Sequence, residues 1–413
     1  MKEQTRHITT DLVHHAYQAP QAFAAPQPPV HKASTVIFDN VQDMRTRRWL
    51  DKSGFTYGLH GTPTTYLLEE RLCSLEGGKQ CVLVPSGLCA ISTVALGLLS
   101  AGDEVLIPDN AYGPNKDFAE HELARWGISH AWYDPMDVAD LQAKITDATR
   151  LVWLEAPGSV SMEFPNLVAL VQACRARGVT TVLDNTWGAG LAFQPFDLLG
   201  DGGSVAVDVS AHALTKYPSG GGDVLMGSII TVNQALHMRI KLTHMRLGIG
   251  IGANDAEMLL RSLPSMALRY RAQDMAARAL AQGLQRQTGV VQLLHPAFEG
   301  APGYEYWLQL CGAAHQGQGA AAGIFSVVLD PQFDSVAVDA FCDSLQFFRL
   351  GYSWGGPMSL VMPYEIETMR ASGRGAVVPG TVVRFCVGLE DTQDLMRDLA
   401  QAWEKAFKQA WVG

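Results

Sequence analysis

The 413-residue chain has no long apolar run. Its longest, residues 91–99, is interrupted by Ser92, Thr93 and Gly97 and falls well short of the roughly 18 residues a membrane span requires. No membrane partner is expected. The opening segment, MKEQTRHITTDLVHH, also lacks the apolar region of about 7 to 15 residues that marks a secretory signal, so the expected location is the cytoplasm. Positive charge is scarce: Lys and Arg number 31 against 41 Asp and Glu, for a formal net charge of -10, and no basic run reverses it locally. Nucleic acid is a poor partner for such a surface, and a small molecule is the expected one. The seven cysteines are an odd number, widely spaced and without a C-x-x-C pair, which favours reduced thiols over a disulfide framework or a zinc site. No internal repeat is found.

What is present reads as a folded body. Hydrophobic residues make up 47% and charged residues 17%, enough apolar material for a sizeable core, and the length suggests two or three units. Residues 18–29, QAPQAFAAPQPP, carry neither helical nor strand periodicity and read as an extended arm. From Pro63 a helix is expected, with Leu68, Leu72 and Leu75 on one face and Gly77-Gly78 as its stop. Alternation follows: strands at 81–84, 104–107, 151–154, 180–183 and 205–209, with helices at 88–99 and 166–177 among them. Strand and helix in turn argue for a doubly wound, largely parallel sheet, whose sites lie at the carboxyl ends of strands. Near residue 261 the series gives way to a helix through 284, then strands at 324–329 and 382–387. A last helix over 391–407 repeats Leu395, Leu399, Trp403 and Phe407 every four residues. The expected organisation is an N-terminal arm at 1–61, a first domain at 62–262 and a smaller C-terminal α/β domain at 263–413.

Three features of the first domain stand at expected strand ends. Residues 85–88, PSGL, join a strand to a helix, so free backbone N–H groups and the helix dipole would point at an anion there. Asp184 follows the strand at 180–183, where a carboxylate can project over the sheet edge. Lys216 lies just after another strand, in AVDVSAHALTKYPSGGG, and only it and Lys144 are lysines between 117 and 240. A lysine at a strand end, among Ser210, Thr215 and Ser219 and beside three glycines, suits a Schiff base in a confined pocket. Each feature alone has an ordinary reading: a common turn, a capping aspartate, a solvated lysine. Together they meet the three demands of pyridoxal phosphate, which needs an amine for its aldehyde, donors for its phosphate and an anion for its ring nitrogen.

Further segments carry a resemblance. Residues 57–64 read YGLHGTPT, 75–78 LEGG, 111–114 AYGP, 155–159 EAPGS, 184–187 DNTW, 215–217 TKY, 352–356 YSWGG and 384–391 RFCVGLED. The chain from about residue 50 onward resembles the cystathionine-metabolising family of pyridoxal-phosphate enzymes. The resemblance implies fold type I: a large, doubly wound, mostly parallel sheet domain with a smaller C-terminal α/β domain. It implies pyridoxal 5'-phosphate as cofactor, Lys216 as the Schiff-base lysine, Asp184 as the partner of the ring nitrogen and Tyr112 stacked on the ring. Gly87, Leu88 and Thr215 would hold the phosphate. Tyr57 would reach the phosphate of a neighbouring subunit, giving dimers that share active sites and, from two such dimers, a homotetramer. Arg384 would grip the substrate α-carboxylate, with Tyr352, Ser353 and Trp354 on the substrate side.

The implied chemistry is carbon–sulfur β-elimination from a cystathionine-like amino acid, with cystine and cysteine as further candidate substrates. Lys216 would remove the α-proton, and Tyr112 would take the proton of the substrate amine if cationic neighbours lowered its pKa. Two departures from the family stand out. Leu59 occupies a position where an arginine is usual, and Pro357, Met358, Ser359 and Leu360 follow the YSWGG segment where Tyr-Glu-Ser-Leu is common. γ-Elimination, γ-replacement and a catalytically silent role on the same fold are the alternatives open to the sequence.

Overall fold

Seven short strands form the larger of two sheets: β1 (Gln80–Val84), β2 (Glu104–Pro108), β3 (Ser129–Tyr133), β4 (Thr149–Glu155), β5 (Thr180–Asp184), β6 (Val209–Ala213) and β7 (Gly227–Thr231). Their order is β1-β7-β6-β5-β4-β2-β3. Pairs among β2 to β6 are parallel, while β7 runs antiparallel to both neighbours. The computed structural model describes residues 7–14, 25–371 and 373–413. Nearly every residue of β1, β2, β6 and β7 is buried, because helices cover both faces; this is why these strands read as continuous apolar runs. Helix Gly87–Leu98 lies across β6 and β7, and helix Pro63–Glu76 packs on β1 and β7. The latter starts from a Thr62 capping box with Pro63 in its first turn and ends at Gly77 with φ 75°, as its start and stop residues predict.

The strand expected at 205–209 is displaced. β6 begins at Val209, while Val205 and Val207 are buried in a loop, where they hydrogen-bond Leu198 and Pro195. Alternating valines satisfy a loop folded onto the core as well as a strand. The displacement carries β6 to Ala213, three residues before Lys216.

The second sheet comprises β8 (Val290–Leu294), β9 (Ile324–Leu329), β10 (Arg349–Leu350), β11 (Leu360–Tyr364) and β12 (Thr381–Cys386) in the order β10-β11-β12-β9-β8. Alternation along β12 sorts its side chains. Val383 and Phe385 join a core with Phe341, Trp403 and Phe407, whereas Val382 and Cys386 join the core shared with the first sheet. Arg384 alternates with Val383 and Phe385, so it leaves β12 on the face turned to the larger sheet. Helix Thr392–Phe407 buries Leu395, Leu399, Trp403 and Phe407.

The boundary expected at 262 falls inside one 33-residue helix, Ala253–Gln285. Its residues from Ala256 to Tyr270 belong to the first core and those from Ala276 to Leu284 to the second. Of the arm expected at 1–61, residues 1–6 and 15–24 lie outside the described residues. Residues 25–40 contain no helix or strand apart from a bridge between Thr35 and Tyr57. Helix Ile8–Val13, within the segment read as an arm, buries Leu12 against this same chain.

Candidate active site

The carboxyl ends of β1, β4, β5 and β6 converge. After β1, Ser86 caps helix Gly87–Leu98 by accepting from the Cys89 amide at 3.0 Å. The amides of Gly87 and Leu88 have no partner among the described residues, as the first turn of a helix leaves them. A Cβ at Gly87 would stand 2.5 Å from the Cβ of Ala213, so only glycine lets the helix start lie this close to the end of β6. Thr215 is tied to Met226: its Oγ1 accepts from the Met226 amide at 3.2 Å and donates to the Met226 carbonyl at 3.4 Å. The turn from β6 to Lys216 is thereby fixed beside the free amides.

Lys216 Nζ donates to Ser353 Oγ at 2.9 Å and lies 5.4 Å from the centre of the Trp354 ring. Gly355 passes so close above that a Cβ would meet the Tyr217 amide nitrogen at 2.9 Å. Burial brings the amine down to about 8, and Arg384 acts the same way, while Cys386 and Asp184 oppose it. An amine so tuned is neutral in a useful fraction near neutral pH, which a nucleophile and proton carrier needs.

Asp184, the last residue of β5, pairs with Glu155 on β4 and Ala211 on β6. Burial raises its pKa; hydrogen bonds from Thr186, one of them from the amide to Oδ1 at 3.0 Å, and the charges of His212 and Lys216 pull it back. Glu155 is raised well above the usual carboxylate range by burial and by Asp184, and its Oε2 accepts from the Tyr112 amide at 2.8 Å. The Tyr112 hydroxyl is raised by burial and by these two carboxylates. A base role for Tyr112 needs cationic neighbours, and these neighbours act in the opposite sense.

Arg384 is 6% exposed. Its Nη2 donates to the Tyr352 carbonyl at 3.1 Å and its plane lies 5.2 Å from the Tyr364 ring centre. It forms no ion pair among the described residues, and its Nε is buried without a partner. A buried guanidinium lacking a counter-ion is costly and is shaped for a carboxylate.

Two sequence-named residues stand apart from Lys216 within the chain. Tyr352 is 78% exposed; its carbonyl accepts from Arg384, and the Trp354 ring lies over Lys216. Tyr57 lines a separate cavity of about 700 Å³ with Leu59, His60, Lys241 and His244, a cavity that Lys216, Asp184, Tyr112 and Arg384 do not line. Within one chain Tyr57 is not brought to Lys216. Sequence reasoning missed Glu155 and Thr186, although an acid closing a buried strand is a visible signal. It also missed His212, which has none: its Nδ1 bonds Glu76 Oε1 at 2.8 Å across 136 residues.

A phosphorylated pyridine aldehyde fits these donors. The Gly87 approach that a Cβ would fill, the lowered Lys216 amine and the strand-end Asp184 suit its phosphate, aldehyde and ring nitrogen, and with the two-sheet architecture they define a fold type I pyridoxal-phosphate enzyme. The family described as Cys/Met metabolism PLP-dependent enzyme matches residues 9–404. The chain belongs to that family, and its cofactor is pyridoxal 5'-phosphate. Relatives include cystathionine beta-lyase of Bordetella avium, 35% identical over 97% of this chain and 98% of the relative, and cystathionine beta-lyase of Salmonella typhimurium, 32% identical over 91% and 93%. An L-alanine/L-glutamate racemase of Wolbachia pipientis is 31% identical over 91% of both chains. The crystal structure of metB from Corynebacterium glutamicum matches with a TM-score of 0.85 at 25% identity, over 97% of this chain and 98% of that one.

Proposed function

We propose that the chain is a carbon–sulfur β-lyase that cleaves L,L-cystathionine, with water, to homocysteine, pyruvate and ammonia, a step of methionine biosynthesis. The observation that carries this reading is the amine of Lys216, of lowered proton affinity, lying beneath Ser353 and Trp354 near Arg384, whose guanidinium has no counter-ion among the described residues. Bound pyridoxal 5'-phosphate supplies an electron sink for negative charge at the substrate α-carbon. Gly87, Leu88 and Thr215 would hold its phosphate, Tyr112 would face its ring, and Asp184 would keep its ring nitrogen protonated. Thr186 and His212 favour the ionised form of Asp184 against burial, which that task requires. Arg384 binds the substrate α-carboxylate. Lys216 removes the α-proton at Nζ, with Ser353 orienting the amine, and the β-thiolate departs.

β-Elimination asks for one carbon-bound proton to be removed, whereas γ-elimination also needs a β-proton transfer. The Tyr352–Trp354 segment above Lys216 carries a hydroxyl and aromatic rings but no acid for that second transfer. The identity of the cystathionine beta-lyases supports the same choice. In the assembly, Tyr57 reaches the cofactor phosphate of a neighbouring subunit, within a tetramer of two dimers. The test is product analysis with L,L-cystathionine: pyruvate and homocysteine are expected in equal amounts. Predominant 2-oxobutyrate and cysteine would overturn β-cleavage, and a racemised amino acid without keto acid would overturn the lyase reading.

A further inference from the structure

A buried network away from Lys216 joins the two sheets. Arg370, whose side chain is 1% exposed, lies just ahead of β12; its Nη1 donates to Glu163 Oε2 at 2.7 Å and its Nε to Asp109 Oδ2 at 3.4 Å. Both acids belong to the first sheet's loops: Asp109 follows β2 and Glu163 lies beyond β4. Glu163 also accepts from Asn110 Nδ2 at 2.9 Å, Ser161 Oγ at 2.8 Å and the Ala376 amide at 2.9 Å. Asp109 Oδ1 accepts from the Ala371 amide at 2.9 Å. Lys116 Nζ donates to the Asp109 carbonyl at 2.9 Å and to the Met369 carbonyl.

Every strand of this network leads to a site residue. Asp109 and Lys116 bracket Tyr112 in sequence, Glu163 lies on the loop that follows Glu155, and Arg370 sits on the segment that leads into β12 and Arg384. Cohesion alone does not call for such a device, because apolar side chains of similar volume commonly join two buried surfaces at no loss of stability. What charges and directed hydrogen bonds add is a defined register between the surfaces. A Cβ at Gly375 would stand 2.4 Å from Arg370 Nη1, and one at Gly158 2.1 Å from Asn110 Nδ2, so both backbones are drawn in against the network.

We propose that Arg370 is a positioning residue which, through Asp109, Glu163 and the Lys116 strap, sets the separation between Tyr112 and Arg384 and so the fit of the substrate α-carboxylate. The inference rests on the carboxylate reading of Arg384 given above. Misplacement of a binding group by about 1 Å costs on the order of a hundredfold, so a partial loosening is expected to cost about tenfold.

The experiment compares holoenzymes of wild type, Arg370→Lys, Arg370→Met, Lys116→Met and Arg384→Met. Thermal stability, kcat and KM for L,L-cystathionine are measured, together with the dissociation constants of L-alanine and L-alaninamide read from the cofactor absorption band. Lys116→Met removes the strap while Arg370 stays to pair with both buried carboxylates, and so reports even where Arg370→Met does not fold. The expected result is a rise of about tenfold in KM and in the L-alanine constant for Lys116→Met, an unchanged constant for L-alaninamide, which has no carboxylate, and partial recovery in Arg370→Lys relative to Arg370→Met. Wild-type KM and L-alanine binding in a folded Lys116→Met, or equal weakening of both ligands, would overturn the inference alone. Unchanged L-alanine binding in Arg384→Met would overturn the carboxylate reading and the inference with it.

Discussion

Lys216 shows how one residue becomes chemically distinct from the other lysines. Burial beneath Ser353 and Trp354 brings its amine from 10.5 to about 8. Condensation with an aldehyde requires the neutral amine, whose share grows with pH until the pKa is passed. The cofactor-free enzyme is therefore expected to recombine with pyridoxal 5'-phosphate at a rate that climbs up to about pH 8 and then levels off, followed by absorbance. A rate still rising about tenfold per pH unit above pH 9 would show an ordinary lysine. Lys216 and Asp184 were legible in the sequence because both are strand-end polar residues in a chain read as a parallel sheet. Glu76 and His212 were not, because their contact exists only once the Glu76 side chain at the end of helix Pro63–Glu76 reaches β6.

At the level of elements, helix Gly87–Leu98 is placed by one atom's absence. Its first residue meets the end of β6 with no room for a Cβ. Gly87→Ala is expected to push the helix start away from Ala213 and spread the amides that face the phosphate. The variant should stay folded, since the rest of the helix keeps its apolar contacts. Its dissociation constant for pyridoxal 5'-phosphate, measured by equilibrium dialysis, should rise about tenfold or more, as when a preorganised donor is lost. Wild-type retention would show that these amides do not hold the phosphate. Helices Pro63–Glu76 and Thr392–Phe407 were readable from their start residues and periodicity. The strand placed at 205–209 was not, since buried valines in a loop repeat like those in a strand, and only pairing with β5 and β7 distinguishes Val209–Ala213.

For the whole molecule, Tyr57 poses the question that one chain does not answer. It stands in a cavity apart from Lys216, while the family resemblance assigns it to a neighbour's phosphate. If sites are shared, inactive Tyr57→Ala and inactive Lys216→Ala proteins, dissociated and reassociated, should recover part of the wild-type activity, because each hybrid dimer regains one complete site. Hybrids shown to form yet devoid of activity would refute sharing. The sequence by itself determined the succession of strands and helices, the strand-end lysine and aspartate and the glycine at the helix start, because apolar periodicity, capping residues and the need for glycine at a close approach are local properties. Only the tertiary structure decided that Arg384 leaves β12 toward the first sheet with no counter-ion among the described residues, that the Tyr352 carbonyl accepts from it, and that Arg370 meets Asp109 across 261 residues. Those outcomes depend on which surfaces pack together, and packing brings together residues whose separation along the chain carries no trace of their contact.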